Sequence, residues 1–473
     1  MKKNKALSIS AFGSSFGKTF GDRHEIVTIV ILAALYALAF TNIGDTSFWA
    51  DAQSYFDYAL NLVRTGIFGL TAGVADMQRE PGYPFFLSLL IRIFQTLGIT
   101  VSARSFVFVQ LFIHFCFSWA AASAKGLPEK VKTIFFLLLI FSPTLIGAHR
   151  EVYSESLSVL LSLLFFTFLQ KTLFEPKNIK TIFFGFLTGT SFALITLTKA
   201  YLAPLMYVFL PFSLLLFRYR KQLAKRLSFE LPQFSRFSLT LMTCSVLALC
   251  GNKLWDARNQ NQLGDNQFLP RKSIAIAGKI ARVHQMKIPE DLPVALTASF
   301  GTNICDSIFS SARCSRFDYR GCDDIGPSTL RSYLKKYPTP LEAETKLQAD
   351  MRKLYFEKPF HQILASGLEV IRMSFFEAVA NYSSLPVFLQ WFSRAWHFLG
   401  SLILLFFFIK GLNLVKKEKE KLIYFAPFSF VSYHVIAMSQ ITNVVRYIFP
   451  IMPFIYLFCA LGISYYSHSR KRK

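Results

Sequence analysis

The sequence predicts an all-α polytopic membrane protein with about ten transmembrane helices. Three observations carry that prediction. Hydrophobic residues make up 53% of the 473, with 52 phenylalanines among them, more apolar surface than a soluble domain can hide. Charged residues amount to 17%, against roughly 25% in soluble chains. Apolar runs of about 16–20 residues recur along the chain, close to the length that crosses a hydrocarbon core roughly 30 Å thick.

Taken in order, apolar windows fall near residues 25–43, 83–99, 105–124, 133–148, 153–170, 181–198, 201–217, 237–252, 395–411, 422–438 and 447–466. The first follows a polar, basic stretch and no A-x-A-like cleavage site comes after it, so it reads as a retained helix. The second is different. Arg92 interrupts it, and a central arginine is costly in lipid. Without it ten spans remain, and both termini lie in the cytoplasm. The basic clusters at 1–24, 125–132, 171–180, 218–236, 410–421 and 467–473 then share one side and hold half of the 52 lysines and arginines, while short outward loops carry Arg150, Lys199 and Arg446 singly. Counting 83–99 as a span would put "RYRKQLAKR" outside, against the positive-inside rule. Residues 83–99 are therefore expected to form a helix lying on the outer surface, apolar side down. The same placement accounts for the formal charge of +24 by cytoplasmic loops and makes a nucleic-acid partner unnecessary.

This topology divides the chain into an N-terminal transmembrane module at 1–252 with an outward loop at 44–103, an outward segment at 253–394, and C-terminal helices with a basic tail at 395–473. The outward segment is polar, and its last part reads as two helices broken at Pro359, with Leu364, Leu368, Ile371 and Phe375 on one face. Cys305, Cys314 and Cys322 share this segment and allow one disulfide if it is exported. Their spacing has no paired C-x-x-C and no neighbouring histidine cluster, so no metal site is expected.

Four outward rims collect the polar residues that could carry chemistry. The first holds Asp51, Tyr55, Asp57, Arg79 and Glu80; the second, "AHREVYSESL", holds His149, Arg150, Glu151 and Glu155. The third, "TLTKAYLAP", holds Lys199, and the last, "ITNVVRYIFPIMPF", holds Arg446 and Tyr447. Each alone reads equally well as a helix-end residue reaching for lipid head groups. Together they gather acids and cations on one face of the membrane, an arrangement that suits a phosphate held beside a base.

The stretch "WADAQSYFDYALNLVRTGIFG…REPGYPFFLSLLIRIF" resembles the first outward loop of GT-C glycosyltransferases, the group that contains protein O-mannosyltransferases and lipid A aminoarabinose transferases. Those proteins carry an acid shortly after the first span, a tyrosine a few residues on, and a "(R/K)xPGYP"-like turn opening a surface helix. "SPTLIGAHREVYSESL" is similar to their second loop, and "RYIFPIMPF" to their entry into a late span. The likeness is dense over residues 25–220 and looser over 360–466. Where the family often has Asp-Glu, this chain has Asp51-Ala52, and residues 253–340 match no family pattern.

The resemblance implies a GT-C fold and inverting transfer of a sugar from a polyprenyl-phosphate donor on the outer face of the inner membrane. The acceptor would be an envelope lipid, glycan or protein. Asp51 would be the general base, since a hydroxyl needs a positioned carboxylate to take its proton during attack. Arg446, Arg79 and Lys199 would hold the lipid phosphate. Glu151, Glu155, Tyr55 and Glu80 would orient the acceptor or the base. No cofactor is required, and partners beyond donor and acceptor are membrane lipids. Two other functions fit the helices: a transporter or flippase for a lipid-linked saccharide, and an O-antigen polymerase or ligase. The first would be expected to show midplane polar sites on repeated, broken helices, and the second a large late loop rich in arginine.

The topology is open to a direct check. In an otherwise cysteine-free chain, a cysteine placed near Lys221 should resist a membrane-impermeant thiol reagent in intact cells, and one near Asn259 should react.

Overall fold

The computed structural model describes residues 23–41, 48, 51–76, 79–123, 125–175, 178–227, 230–263, 271–299, 302–317, 319–375, 387–415, 422–439 and 445–469. The basic residues at 1–22 and the tail at 470–473 lie outside them, as do some side chains within helices, those of Cys322, Ile371, Phe375, Arg446 and Tyr447 included.

The transmembrane part begins with α1 (Arg23–Thr41), α2 (Asp51–Thr65), α3 (Gly82–Thr96), α4 (Ala103–Ser123), α5 (Glu129–Ile140), α6 (Pro143–Arg150), α7 (Ser154–Phe174) and α8 (Asn178–Thr198). It continues through α9 (Pro204–Arg218), the short α10 (Arg220–Leu227) and α11 (Leu231–Leu263). Seven helices follow outside the bundle: α12 (Arg271–His284), α13 (Leu292–Ser299), α14 (Thr302–Ile308), α15 (Ser311–Cys314), α16 (Tyr319–Lys336), α17 (Pro340–Glu357) and α18 (Pro359–Phe375). The chain closes with α19 (Val387–Val415), α20 (Leu422–Ser439) and α21 (Met452–Ser469).

Among the described residues seven helices are long and apolar enough to cross a membrane, or eight if the pair α5 and α6 is one span. Two shorter apolar stretches, Ile26–Thr41 and Leu399–Val415, stand where the sequence places the first and eighth spans. Every expected window is thus occupied by an apolar helix. Their outer faces expose Ile31, Leu35, Phe183, Phe186, Leu215 and Phe406, a surface that suits lipid and not water.

The axis of the bundle is α7, most of whose residues are buried. It is rich in serine and threonine, and beyond its first turn these groups meet their hydrogen-bonding needs within the helix. Ser158 donates to the Ser154 carbonyl at 3.0 Å, Ser162 to the Ser158 carbonyl at 2.8 Å, and Thr167 to the Leu163 carbonyl at 2.8 Å. Small side chains without unsatisfied hydroxyls let neighbouring helices approach closely. Around α7 lie α4, α8, α11, α20 and α21, joined in one large apolar core.

Three local features depart from the simplest reading of the windows. The window at 133–148 is a helix bent by 46° between α5 and α6. Pro143 follows the break, and Ser142 caps α6 by accepting from the Leu145 amide at 3.1 Å. Second, α11 has 33 residues, about 50 Å at 1.5 Å per residue, so it runs on well past residue 252. Third, α3 has 15 residues, about 22 Å, too short to cross a 30 Å core. One side of it buries Tyr83, Leu87, Ile91 and Phe94; the other exposes Phe85, Leu89 and Ile93, with Arg92 exposed as well.

Outside the bundle, α12–α18 form two smaller apolar clusters, one around Val294, Ala298, Phe317 and Leu368 and the other around Ile280, Leu330 and Leu347. Cys305 and Cys314 are joined by a disulfide. Pro359 separates α17 from α18 as its position in the sequence suggests, and α18 packs on α20.

Two glycines mark a close contact between α19 and α21. A methyl group at Gly411 would run into the Phe458 carbonyl, with the carbonyl carbon at 2.7 Å, and one at Gly462 into the Phe407 carbonyl, with its carbon at 3.0 Å. Gly462→Ala should therefore force the two backbones apart and destabilise the protein by about 1–3 kcal/mol. The drop should be visible as a lower midpoint of thermal unfolding in detergent, whereas Gly400→Ala, with open space at that position, should not lower the midpoint.

Candidate active site at the membrane rim

The site starts from helix geometry. Asp51 is the first residue of α2, where a carboxylate is favoured by the positive end of the helix dipole. Tyr55 lies one turn on and so shares its face. Arg79, reached through the loop after α2, comes back to this face. Its Nη2 lies 2.5 Å from Asp51 Oδ1, and its guanidinium sits 4.8 Å from the centre of the Tyr55 ring. Both members of the ion pair keep some exposure, 12% for Arg79 and 21% for Asp51, so a ligand arriving from outside can compete for either.

Deeper in, the chain of contacts continues without a break. The Tyr55 hydroxyl and Ser154 Oγ are 3.0 Å apart, Ser154 Oγ donates to Glu155 Oε2 at 3.4 Å, and Glu155 Oε1 lies 3.0 Å from Lys199 Nζ. Glu155 and Lys199 are almost wholly buried. Three sequence-distant rims therefore meet: the loop at 44–103, the start of α7 and the end of α8.

Two aromatic residues brace the group. Tyr83 stands edge-on to Tyr55 with ring centres 5.2 Å apart and donates to Gln110 Oε1 at 2.7 Å. Gln110, fully buried in α4, donates onward to the backbone carbonyls of His149 at 2.9 Å and Glu151 at 3.3 Å. One amide thus ties the surface helix α3 to the second rim.

Burial first, and then the nearby charge of Glu80, raises the Tyr55 phenol well above its ordinary pKa, against the pull of Arg79. Tyr55 therefore stays neutral. Burial works against the Arg79 guanidinium, but Tyr55 and Asp51 outweigh it and its pKa is raised. Arg79 is a permanent cation.

The structure brings together Asp51, Tyr55, Arg79, Glu155 and Lys199, with Glu80 close enough to act on Tyr55. Lys199 faces Glu155. Glu151 stands at the C-terminal cap of α6, half-buried on the second rim. The backbone at Arg446 belongs to a 3-10 turn, Val445–Ile451, that packs on α7; the Arg446 side chain lies outside the described residues. Asp57 accepts from Gln53 Nε2 at 2.8 Å on an exposed face, apart from the Asp51 group.

Sequence reading missed Ser154, Tyr83 and Gln110 as parts of this group. Gln110 left a usable signal, a lone amide inside "RSFVFVQLFIHFCFSW", since a polar group in an apolar span needs a partner. Among the described residues no three His, Cys, Asp or Glu side chains are grouped so as to hold a metal ion.

Fold and site together define a polytopic all-α membrane protein whose rim loops converge on an acid, an arginine and a buried ion pair. Several solved structures are similar to it. One is the archaeal oligosaccharyltransferase AglB from Archaeoglobus fulgidus, in complex with an inhibitory peptide and a dolichol-phosphate. It shows 11% identity and a TM-score of 0.45, over 94% of this chain and 51% of that one. Another is the apo form of the Archaeoglobus fulgidus oligosaccharyltransferase, with 12% identity and a TM-score of 0.41 over 95% and 51%. A third is ArnT from Cupriavidus metallidurans bound to undecaprenyl phosphate, with 11% identity and a TM-score of 0.38 over 94% and 78%. The chain spans about half the length of the oligosaccharyltransferases. No protein-family model and no curated protein matches it.

The position of α3 explains the glycine of the "PGYP" turn. A methyl group at Gly82 would overlap Thr198 and lie 3.0 Å from its Cα and backbone nitrogen, one residue before Lys199. Gly82→Ala should therefore shift α3 against the end of α8 and disturb both ion pairs. We expect a loss of about 1–3 kcal/mol of stability, read as a lower midpoint of thermal unfolding in detergent, with normal membrane insertion.

Proposed function

We propose that this protein is an inverting membrane glycosyltransferase that moves a sugar from a polyprenyl-phosphate-linked donor to an envelope acceptor at the outer face of the inner membrane. The observation that carries the reading is the unbroken run Asp51–Arg79–Tyr55–Ser154–Glu155–Lys199 at one rim. It supports the reading because a carboxylate and a guanidinium stand side by side, the pair of groups that proton removal and phosphate binding require. The disulfide in the segment after α11 supports an oxidising compartment for that segment, and with it the outward orientation and cytoplasmic termini. On the same reading residues 253–394 are an outward unit between two transmembrane modules.

The step follows from the residues. Asp51 takes the proton of the acceptor hydroxyl or amine as that heteroatom bonds to the anomeric carbon. On the opposite face the bond from the anomeric carbon to the phosphate oxygen breaks, which inverts the centre. The polyprenyl phosphate leaves as an anion. Arg79 receives it, with Arg446 as the second fork and Lys199 behind them; arginine suits this task because its planar donors match two phosphate oxygens at once. The resting pair of Asp51 and Arg79 gives the order of events. A carboxylate held by arginine is a poor base, because the cation favours its charged form. A phosphate that draws Arg79 away leaves Asp51 freer to accept a proton, so the donor binds first. Glu155 holds Lys199, Tyr55 and Glu80 shape the acceptor side, and Glu151 orients the acceptor from the second rim.

The test is sugar transfer by purified protein from a synthetic polyprenyl-phosphate donor. Asp51→Asn keeps size and hydrogen bonding and should lower turnover at least ~10²-fold with an unchanged melting midpoint, whereas Asp57→Asn should stay near the parent. Arg446→Ala should raise the KM for donor, and Arg446→Lys should recover it only in part. Normal turnover by Asp51→Asn would remove the base assignment, and no transfer by the parent from any such donor would remove the reading itself.

A further inference from the structure

Between α2 and Arg79 the chain makes a compact loop, and the loop is held from two sides by residues outside the group described above. From α2, Tyr58 donates to Asp76 Oδ1 and Asn61 Nδ2 donates to the carbonyls of Gly69 at 2.7 Å and Leu70 at 3.0 Å. Within the loop, the Asp76 amide donates to the Phe68 carbonyl at 3.0 Å, and Asp76 Oδ2 accepts from the Leu70 amide at 2.7 Å.

The second side is the far end of α11. Arg258 donates through Nη2 to the Phe68 carbonyl at 3.2 Å and through Nη1 to the Asp76 carbonyl at 3.4 Å; Nη1 also donates to Asn259 Oδ1 at 2.9 Å. The guanidinium lies 4.9 Å from the Trp255 ring centre and 5.5 Å from that of Phe68. Trp255 in turn packs edge-on against Phe68, at 4.9 Å, and Phe85 of α3, at 6.3 Å.

One planar fork therefore bonds both the first and the last carbonyl of a turn, which fixes the distance between them as no single-point donor can. Asp76 is three residues before Arg79. A chain of three residues spans at most about 10 Å, so the locked loop limits where the Arg79 backbone can lie. Arg258 thus holds the loop through two backbone carbonyls and the face of the Phe68 ring.

We propose that Arg258, seated on Trp255, is a positioning residue for the donor phosphate site: it locks residues 68–76 so that Arg79 meets Asp51 and Tyr55. This rests on the glycosyltransferase reading for its kinetic consequence and on geometry alone for the lock. The rim on which the chemistry occurs is thereby coupled to the helix that leads into residues 253–394.

Two measurements on the full-length protein test it. In hydrogen–deuterium exchange the amides of Leu70, Val74 and Asp76 should exchange at least about tenfold faster in Arg258→Gln than in the parent. Arg258→Lys, which keeps charge and ring contact but loses the fork, should fall between them, and peptides of α7 should not change. In the transfer assay the donor KM should rise about tenfold or more in Arg258→Gln with the acceptor KM unchanged, as expected when a phosphate ligand is misplaced. Unchanged exchange would overturn the lock. Faster exchange with a normal donor KM would overturn the positioning role. If the parent transfers no sugar, the glycosyltransferase reading fails and exchange alone decides whether Arg258 locks the loop.

Discussion

Glu155 and Lys199 are buried side by side, 3.0 Å apart, where α7 begins and α8 ends. Neither charge is tolerable there alone, and removing one partner of such a pair typically costs about 3–5 kcal/mol because the other is left uncompensated. The pair therefore fixes which two helix ends must meet. Once they meet, Ser154 is placed to touch Tyr55, Thr198 is placed against Gly82, and the surface helix α3 has one seat available. The loop that carries Arg79 is confined between that seat and α11. Much of the rim follows from one electrostatic requirement at the edge of an apolar medium.

The bundle beneath supplies the opposite kind of constraint. Along α7 the hydroxyls of Ser158, Ser162, Thr167 and Thr172 are turned back on their own helix, and those of Ser154 and Ser156, at its rim end, reach Tyr55 and His149. Near the rim, directional bonds between elements, the Tyr83–Gln110 link and the Arg258 lock among them, are added to the apolar packing of the bundle and hold the site steady.

How much of this the sequence discloses depends on the range of the interaction. Apolar windows depend on local composition, and each of the ten is occupied by an apolar helix. Arg92 and the placement of lysines mark 83–99 as a helix that does not cross, and α3 is indeed too short. The motifs around Asp51 and "PGYP" place the acid and the surface helix near one another in sequence. Contacts across long separations leave no such trace. Nothing in "TLTKAYLAP" tells that Lys199 faces Glu155, and nothing in "LWDARNQ" tells that Arg258 grips the Phe68 carbonyl, because a carbonyl carries no residue identity. The bend at Pro143 and the overrun of α11 past residue 252 were hidden for a different reason: a hydropathy window measures length in lipid and is blind to whether a helix is straight or continues into water.

The glycine contacts carry a consequence for how this chain can vary among its relatives. At Gly189 an added methyl group would press mainly on side-chain atoms of Leu247 and Thr243, and those can shrink. Volume at 189 can therefore be exchanged for volume at 243 and 247, and the three positions should drift together in correlated steps. At Gly82 the first obstacle is the Thr198 hydroxyl, so a smaller residue at 198 would relieve most of it. At Gly411 and Gly462 the obstacle is main chain, which every residue shares. No side-chain change elsewhere in sequence relieves it, so these two positions have no compensating partner and stay fixed for as long as the helices keep their seats.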